Sequence, residues 1–224
     1  MNQVSTEHGV IPFDAQELKL SKEDCADIID LCNYIHPTRG QLQKENSADT
    51  NVNTKKRDVT VYPIDDILHD DNMYLARPFD PENLNYNGKV CSHQHGKVSG
   101  ILTYIAEETN RVFNYDLWEF EHHKNSFIQE SPQLLKYEAP STGYDWHHDL
   151  GNGDAAERKA SISIFLNDDY EGGEFCFFDK GEVIAPSSVG NAVAFSSFIP
   201  HRVKPITKGV RWSLVAWIAG PPFK

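Results

Sequence analysis

Nowhere in its 224 residues does the chain hold an apolar run long enough to cross a membrane. Residues 1–8 lack the apolar core of a secretory signal. Cysteine is scarce: Cys25, Cys32, Cys91 and Cys176 are scattered and form no C-x-x-C pair. That spacing argues against a zinc knuckle or a dense disulfide framework, and fits reduced thiols in a cytoplasmic protein. Positive charge is short too, with 21 Lys and Arg against 33 Asp and Glu and a net charge of −12. A protein that grips a phosphate backbone needs a basic face, so nucleic acid is not an expected partner, and neither is a membrane. The acidic excess reads as a solubilising surface. No G-x-S-x-G, P-loop or G-x-G-x-x-G is present, which removes the commonest hydrolase, nucleotide and dinucleotide signatures. Gly172-Gly173-Glu174 reads as a turn into a strand.

What remains is an ordinary globular composition, 39% hydrophobic and 24% charged, in a chain long enough for one sizeable core. The expectation is a single catalytic domain over 1–224. Residues 1–116 would form a helical and loop support, and residues 117–224 the core. Residues 1–12 read as a loose tail and 13–20 as a short strand. Ser21 to Asp24 has capping-box form, and Cys25, Ile28, Ile29, Cys32 and Ile35 then make one apolar helical stripe that ends at His36-Pro37. Residues 38–56 are polar and unpatterned, a loop suited to act as a flap. A strand is expected at 57–62, irregular chain at 63–96 and an amphipathic helix at 97–113. His93 and His95 could form a metal pair on a strand, but no strand pattern surrounds them, so two loop histidines are expected.

From residue 117 onward, short β-like runs alternate with Gly, Pro and Asp turns: 117–122, 127–129, 134–138, 144–149, 160–167, 174–178, 183–185, 192–196, 201–206 and 211–218. Such spacing points to a sandwich, jelly roll or barrel. The last run is apolar on both faces after its first residues, as a central strand should be.

The chemistry concentrates at Tyr144 to Asp149. On a strand, His147 and Asp149 share a face and His148 points away. One imidazole and one carboxylate offer two adjacent ligands to a divalent metal, and His201, opening a later strand, is the candidate third. Asp145, also on the face of His147, is the competing carboxylate. Two His and one carboxylate leave open positions on the metal, the facial triad of non-haem Fe(II) oxygenases. Arg211 and Ser213 share a strand face. No acidic residue lies in 208–218, so the anion partner expected for a buried Arg211 is a ligand, whereas an Arg211 at the surface would pair with one of the 33 acidic side chains. Guanidinium and hydroxyl together suit a carboxylate, and 2-oxoglutarate combines a metal-chelating keto acid with such a far carboxylate. Tyr137 and Tyr144 add phenols that could reach the co-substrate or substrate, or else pack in the core.

Taken in order, Lys136-Tyr137-Glu138, Tyr144-x-x-His147-x-Asp149, Ser163 to Asn167, Glu171 to Phe175, Pro186-x-x-x-Gly190, Phe195, His201-x-Val203-x-Pro205, Gly209-x-Arg211-x-Ser213 and Trp217 resemble the 2-oxoglutarate- and Fe(II)-dependent oxygenases of the prolyl 4-hydroxylase type. The resemblance covers residues 134–219. It implies a mainly β fold with N-terminal helices (α+β), a double-stranded β-helix or jelly-roll core flanked by helices. It implies iron on His147, Asp149 and His201, and the far carboxylate of 2-oxoglutarate on Arg211. It also places Tyr137 near the co-substrate. Fe(II), 2-oxoglutarate and O2 are the implied cofactors, with ascorbate as reductant. The implied reaction is hydroxylation of an unactivated C–H, with succinate and CO2 as co-products. Its expected substrate is a prolyl residue in a peptide or protein. Collagen-type members carry lysine where this chain has Arg211, which moves the likeness toward bacterial, viral and oxygen-sensing hydroxylases. Three alternatives stand beside this reading: the same chemistry on a free amino acid or other small molecule, a non-enzymatic jelly-roll binding module, and a zinc hydrolase using the same ligands.

Overall fold

The computed structural model describes residues 9–35, 37–40, 42–43, 50–51, 53–64, 88–113, 130–178 and 181–220, with the side chains of Tyr34, of residues 42–43, 50–51 and 88–95, and of Asp154 outside the description. In chain order the elements are β1 (Val10–Phe13), α1 (Lys22–Asp30), β2 (Thr38–Arg39), β3 (Leu42–Gln43), β4 (Thr50–Asn51), β5 (Thr60–Pro63), α2 (Gly88–Phe113), β6 (Gln133–Glu138) and β7 (Tyr144–His147). There follow β8 (Arg158–Phe165), β9 (Glu171–Gly172), β10 (Phe175–Phe178), β11 (Glu182–Ile184), β12 (Ala192–Ser196), β13 (His201–Val203), β14 (Ile206–Lys208) and β15 (Val210–Ala219). A major sheet runs β1-β12-β8-β15-β6-β5-β2, a minor sheet runs β11-β10-β13-β7, and their pairings are antiparallel. The fold is therefore mainly β with helices on one side, within the classes the strand spacing allowed and consistent with the jelly roll that the resemblance implied.

Strand alternation sorts the major sheet into two faces. Leu134, Ile162, Ile164, Ala192, Ala194, Leu214, Ala216 and Ile218 pack in one cluster with Cys25, Ile28, Val98, Leu102 and Ile105 of the helices. The intervening residues Leu135, Phe165, Val193 and Phe195 join Phe175, Phe177 and Val203 of the minor sheet in a second cluster. β15 is central in the sheet, between β8 and β6, and both its faces are covered: Leu214, Ala216 and Ile218 pack in the first cluster and Val215 against the second, as its apolar run predicts. Of the α2 stripe, Val98 to Ala106 is buried and Val112 stays 37% exposed. Among the described residues no helix is long and apolar enough to cross a membrane.

Several boundaries differ from the sequence expectation. Val10–Phe13 is a strand on β12, not part of a tail, because an edge of the major sheet offers it a full ladder. Residues 14–20 form a turn, not a strand: the Asp14 carboxylate accepts from the Glu17 amide at 2.8 Å, and Leu20 N–H donates to Ala15 O at 2.9 Å. Within 38–56 the described residues include short strands, with β2 on β5 and β3 on β4, since backbone pairing asks no side-chain pattern of a short strand. α2 begins at Gly88, not near residue 97, so His93 and His95 lie on a helical backbone instead of a loop. The run 201–206 is split at Lys204-Pro205, and β14 pairs with β9 instead of continuing the minor sheet. The strands expected at 117–122 and 127–129 lie outside the described residues.

The N-terminus of α1 forms as its capping box predicts. The Ser21 hydroxyl accepts from the Asp24 amide at 3.1 Å, and the Asp24 carboxylate accepts from the Ser21 amide at 2.8 Å. Asp24 also pairs with Lys97 of α2, which ties the two helices. Burial alone would raise the Asp24 carboxyl, but Lys97 and Ser21 outweigh it and bring it down to about 2. The ionised carboxylate therefore stabilises the fold above pH 3.8, and that contribution is lost as pH falls toward about 2. Ser21→Ala should cost about 1 kcal/mol in urea unfolding. Asp24→Asn should cost a similar amount at pH 7 and almost nothing at pH 2.

Candidate metal centre

The glycine that leads into β7 decides where the site's first ligand stands. Gly143 has φ +75°, and a Cβ there would lie 2.3 Å from Val203 O, so only glycine lets β7 lie against β13. That pairing sets His147 directly opposite His201. Their rings lie 4.1 Å apart, and Asp149 Oδ1 and Oδ2 sit 3.8 Å from His147 Nε2 and 3.6 Å from His201 Nε2. One ligand atom from each of the three lies within 4.8 Å of the others, a spacing that one ion can bridge.

Asp149 does not reach this position by strand alternation, because β7 ends at His147. The Asp149 and Leu150 amides instead donate to Ser197 O at 2.8 and 3.0 Å, bending the chain back toward the site. His148 turns outward and bonds Leu150 O at 2.6 Å. The competing Asp145 is exposed and accepts from the Trp146 amide, so it takes no place in the cluster.

Hydrogen bonds fix the chemical state of each ligand. His147 Nδ1 lies 2.8 Å from Asp145 O, and His201 Nδ1 lies 2.9 Å from Ile199 O. A carbonyl can only accept, so both imidazoles carry their proton on Nδ1 and turn the Nε2 lone pair toward the centre. Burial, then the neighbouring His201, pushes the His147 imidazole well below its usual range, and it stays neutral. Burial acts to raise the Asp149 carboxyl, but His201, His147, the Ser161 hydroxyl at 2.6 Å and Arg158 together hold it at about 2. A neutral His147 imidazole and an ionised Asp149 carboxylate are the protonation states a divalent cation needs. Ser161 and Ser197 share a further hydrogen bond of 3.0 Å.

The triad opens on a cavity of about 110 Å³ that Arg211, Ser213, Tyr137 and Tyr144 also line. Alternation on β15 turns Arg211 and Ser213 to the cavity side. Arg211 is 1% exposed; its Nη1 donates to Ser213 Oγ at 3.0 Å, and its Nε and Nη2 have no hydrogen-bond partner among the described residues. The Tyr137 hydroxyl, also buried, has none either. The guanidinium lies 5.6 and 5.7 Å over the Tyr137 and Phe165 rings. Gly173, at φ +69°, leaves it room: a Cβ there would come within 3.0 Å of Arg211 Cδ. A buried cation with two unmet donors beside an unmet phenol is a receptor for a carboxylate, so the residues present fit a dicarboxylate as well as a metal. Tyr144 stacks on His147 at 3.4 Å, and burial pushes its phenol up to about 12.

The geometry can now be set beside known proteins. Residues 132–219 match the model of the 2OG-Fe(II) oxygenase superfamily. Over this segment the chain carries the signature of a 2OG-Fe(II) oxygenase domain. A PKHD-type hydroxylase of Polaromonas sp. is 31% identical to the chain over 97 residues, 39% of this chain and 43% of the relative. The chain thus spans under half the length of that relative. The fold resembles that of a Trichoplax adhaerens prolyl hydroxylase solved with a hypoxia inducible factor peptide, at TM-score 0.62 and 16% identity over 96% of this chain and 85% of that one. It also resembles a Pseudomonas putida prolyl-4-hydroxylase, at TM-score 0.59 and 16% identity over 96% and 95% of the two chains.

The seven candidate site residues in the matched segment, His147, Asp149, His201, Arg211, Ser213, Tyr137 and Tyr144, all line one cavity. Ser161, Arg158 and Arg57 line it as well and carried no motif. Alternation along Ser161-Ile162-Ser163-Ile164 does signal a polar inner face on β8. Arg158 pairs with Glu130 and lies 4.0 Å over the Trp217 ring, contacts distant in sequence.

In metal-stripped protein the unfolded chain takes up a proton near pH 6.5 that the folded His147 refuses. Stability should therefore fall on acidification below that pH, with a slope approaching 1.4 kcal/mol per pH unit, about the energy of one proton. His147→Gln should reduce that slope in urea titrations read by circular dichroism.

Proposed function

We propose that the protein is an Fe(II)- and 2-oxoglutarate-dependent dioxygenase that hydroxylates an unactivated C–H, first of all in a prolyl residue of a peptide or protein. The observation that carries this reading is Arg211: a buried guanidinium with two unmet donors in the same cavity as two imidazoles and a carboxylate. A binding module has no need of both features, and a hydrolase has no need of the anion receptor. The prolyl part draws support from neighbours titled prolyl hydroxylases. We take 1–224 as one catalytic domain, with ascorbate as reductant. The cytoplasmic reading rests on free Cys25, Cys32 and Cys176.

His147, Asp149 and His201 would hold the metal, and Arg211 with Ser213 would hold the far carboxylate of 2-oxoglutarate. Fe(II) with O2 supplies oxidative decarboxylation of the keto acid to succinate and CO2, coupled to hydroxylation of the substrate. The chain's own residues do the positioning. The Asp145 and Ile199 carbonyls orient the two imidazoles, and Ser161 holds the Asp149 carboxylate. Arg211 supplies fixed positive charge where water is excluded, so the ligand's far carboxylate loses little on leaving solvent. Phe175, Phe177 and Phe195 pack beside His201 and keep that wall dry.

Under anaerobic conditions, Fe(II) plus 2-oxoglutarate should give a weak visible charge-transfer band, and Asp149→Ala should abolish it. Arg211→Ala should raise the 2-oxoglutarate requirement by about tenfold or more while leaving metal binding in place. Prolyl peptides should gain the mass of one oxygen. Turnover of a free amino acid with no peptide product would replace the peptide reading by the small-molecule one.

A further inference from the structure

No sequence motif points to Arg57, yet it lines the same cavity as the triad and Arg211. Its backbone is pinned against β7. Arg57 bridges Tyr144, the Asp145 amide donates to Lys56 O at 2.8 Å, and the Asp58 amide donates to Gly143 O at 2.9 Å. Gly40 packs beside its side chain, where a Cβ would lie 2.9 Å from Arg57 Nε. The guanidinium carbon sits 4.8 Å over the Tyr144 ring, and that ring stacks on His147 at 3.4 Å. One aromatic ring therefore separates Arg57 from a candidate metal ligand. Arg211 connects to His201 through two rings in turn, lying 5.7 Å from Phe165, which is 6.0 Å from Phe175, itself 5.5 Å from His201. Both cations act on the Tyr137 phenol. Burial raises it, and Arg57, ahead of Arg211, opposes that rise.

We propose that Arg57 is a second anion anchor of the cavity, placed to take the carboxylate of a 2-oxo acid at its metal-chelating end. This rests on the oxygenase reading and adds a residue to it. A 2-oxo acid that chelates a metal uses its keto oxygen and one carboxylate oxygen. The other carboxylate oxygen is then a buried acceptor in need of a donor. The triad has none to give, since both Nδ1–H groups are spent on the Asp145 and Ile199 carbonyls and Asp149 is ionised. A guanidinium one ring from the triad, held against Tyr144, meets that need.

The test measures binding without turnover, with Mn(II) in place of iron and dissociation constants from calorimetry. Two ligands separate the two cations: 2-oxoglutarate, and 2-oxovalerate, which keeps the keto-acid end and lacks the far carboxylate. Arg57→Gln should weaken both by about tenfold or more while Mn(II) affinity stays unchanged. Arg211→Gln should weaken 2-oxoglutarate and spare 2-oxovalerate. Arg57→Lys, which keeps the charge but loses the planar fork, should fall between the native protein and Arg57→Gln. The proposal is overturned if Arg57→Gln binds 2-oxovalerate within about twofold of the native protein, a gap too small for a lost charged hydrogen bond. It is also overturned if the loss is confined to 2-oxoglutarate, which would put Arg57 at the far carboxylate. Should Arg57→Gln fail to fold by circular dichroism, Arg57→Lys decides: affinity equal to native overturns the proposal. A native protein that binds neither Mn(II) nor a 2-oxo acid overturns the oxygenase reading along with it.

Discussion

A positive charge enclosed between two β-sheets needs a reason to stay there. Arg211 is buried in a layer of aromatic rings, and one neutral hydroxyl is its hydrogen-bonding neighbour among the described residues. Such a group costs several kcal/mol to desolvate, and a chain selected for stability alone would replace it or pair it. Here the aromatic faces of Tyr137 and Phe165 offset part of that cost. On the proposed reading an incoming carboxylate would meet the remainder, and ligand binding and folding stability would be coupled through one side chain.

The two sheets divide labour around that charge. Alternation on β8, β12 and β15 sends Ile162, Ile164, Ala194, Leu214 and Ala216 toward the helices. It sends Ser161, Ser163, Arg211 and Ser213 toward the cavity. The helices α1 and α2, tied by Lys97 and Asp24, cover the apolar face and leave the polar one to the site. The minor sheet contributes His147 and His201 as opposed residues of neighbouring strands, which needs no long-range adjustment beyond the glycine turn at 143. Rigid strands hold two of the three triad members, and the third is held by the hydrogen bonds that the Asp149 and Leu150 amides donate to the Ser197 carbonyl.

Protonation is settled by the same backbone. Because both Nδ1 atoms face carbonyls, neither imidazole can present the wrong tautomer to the centre. Because Ser161 and two imidazoles face Asp149, its carboxylate stays ionised in spite of burial. These protonation states suit a cation, and holding them in advance would lower the cost of binding one.

Much of this was legible in the chain itself. The pair His147-x-Asp149, the later His201, and Arg211-x-Ser213 in a run without acids carry their chemistry in residue type and spacing. The short strands and their Gly and Pro turns carry the fold class, and Ser21 with Asp24 carries the start of a helix. These are local matters: alternation, capping and turn geometry depend on near neighbours. The sequence could not show that Asp149 lies beyond the end of β7 and is turned inward by Ser197, or that Val10–Phe13 is an edge strand. Nor could it show that Arg57 comes within one ring of His147. Each of those depends on a partner far along the chain, and only closing the two sheets on each other selects that partner.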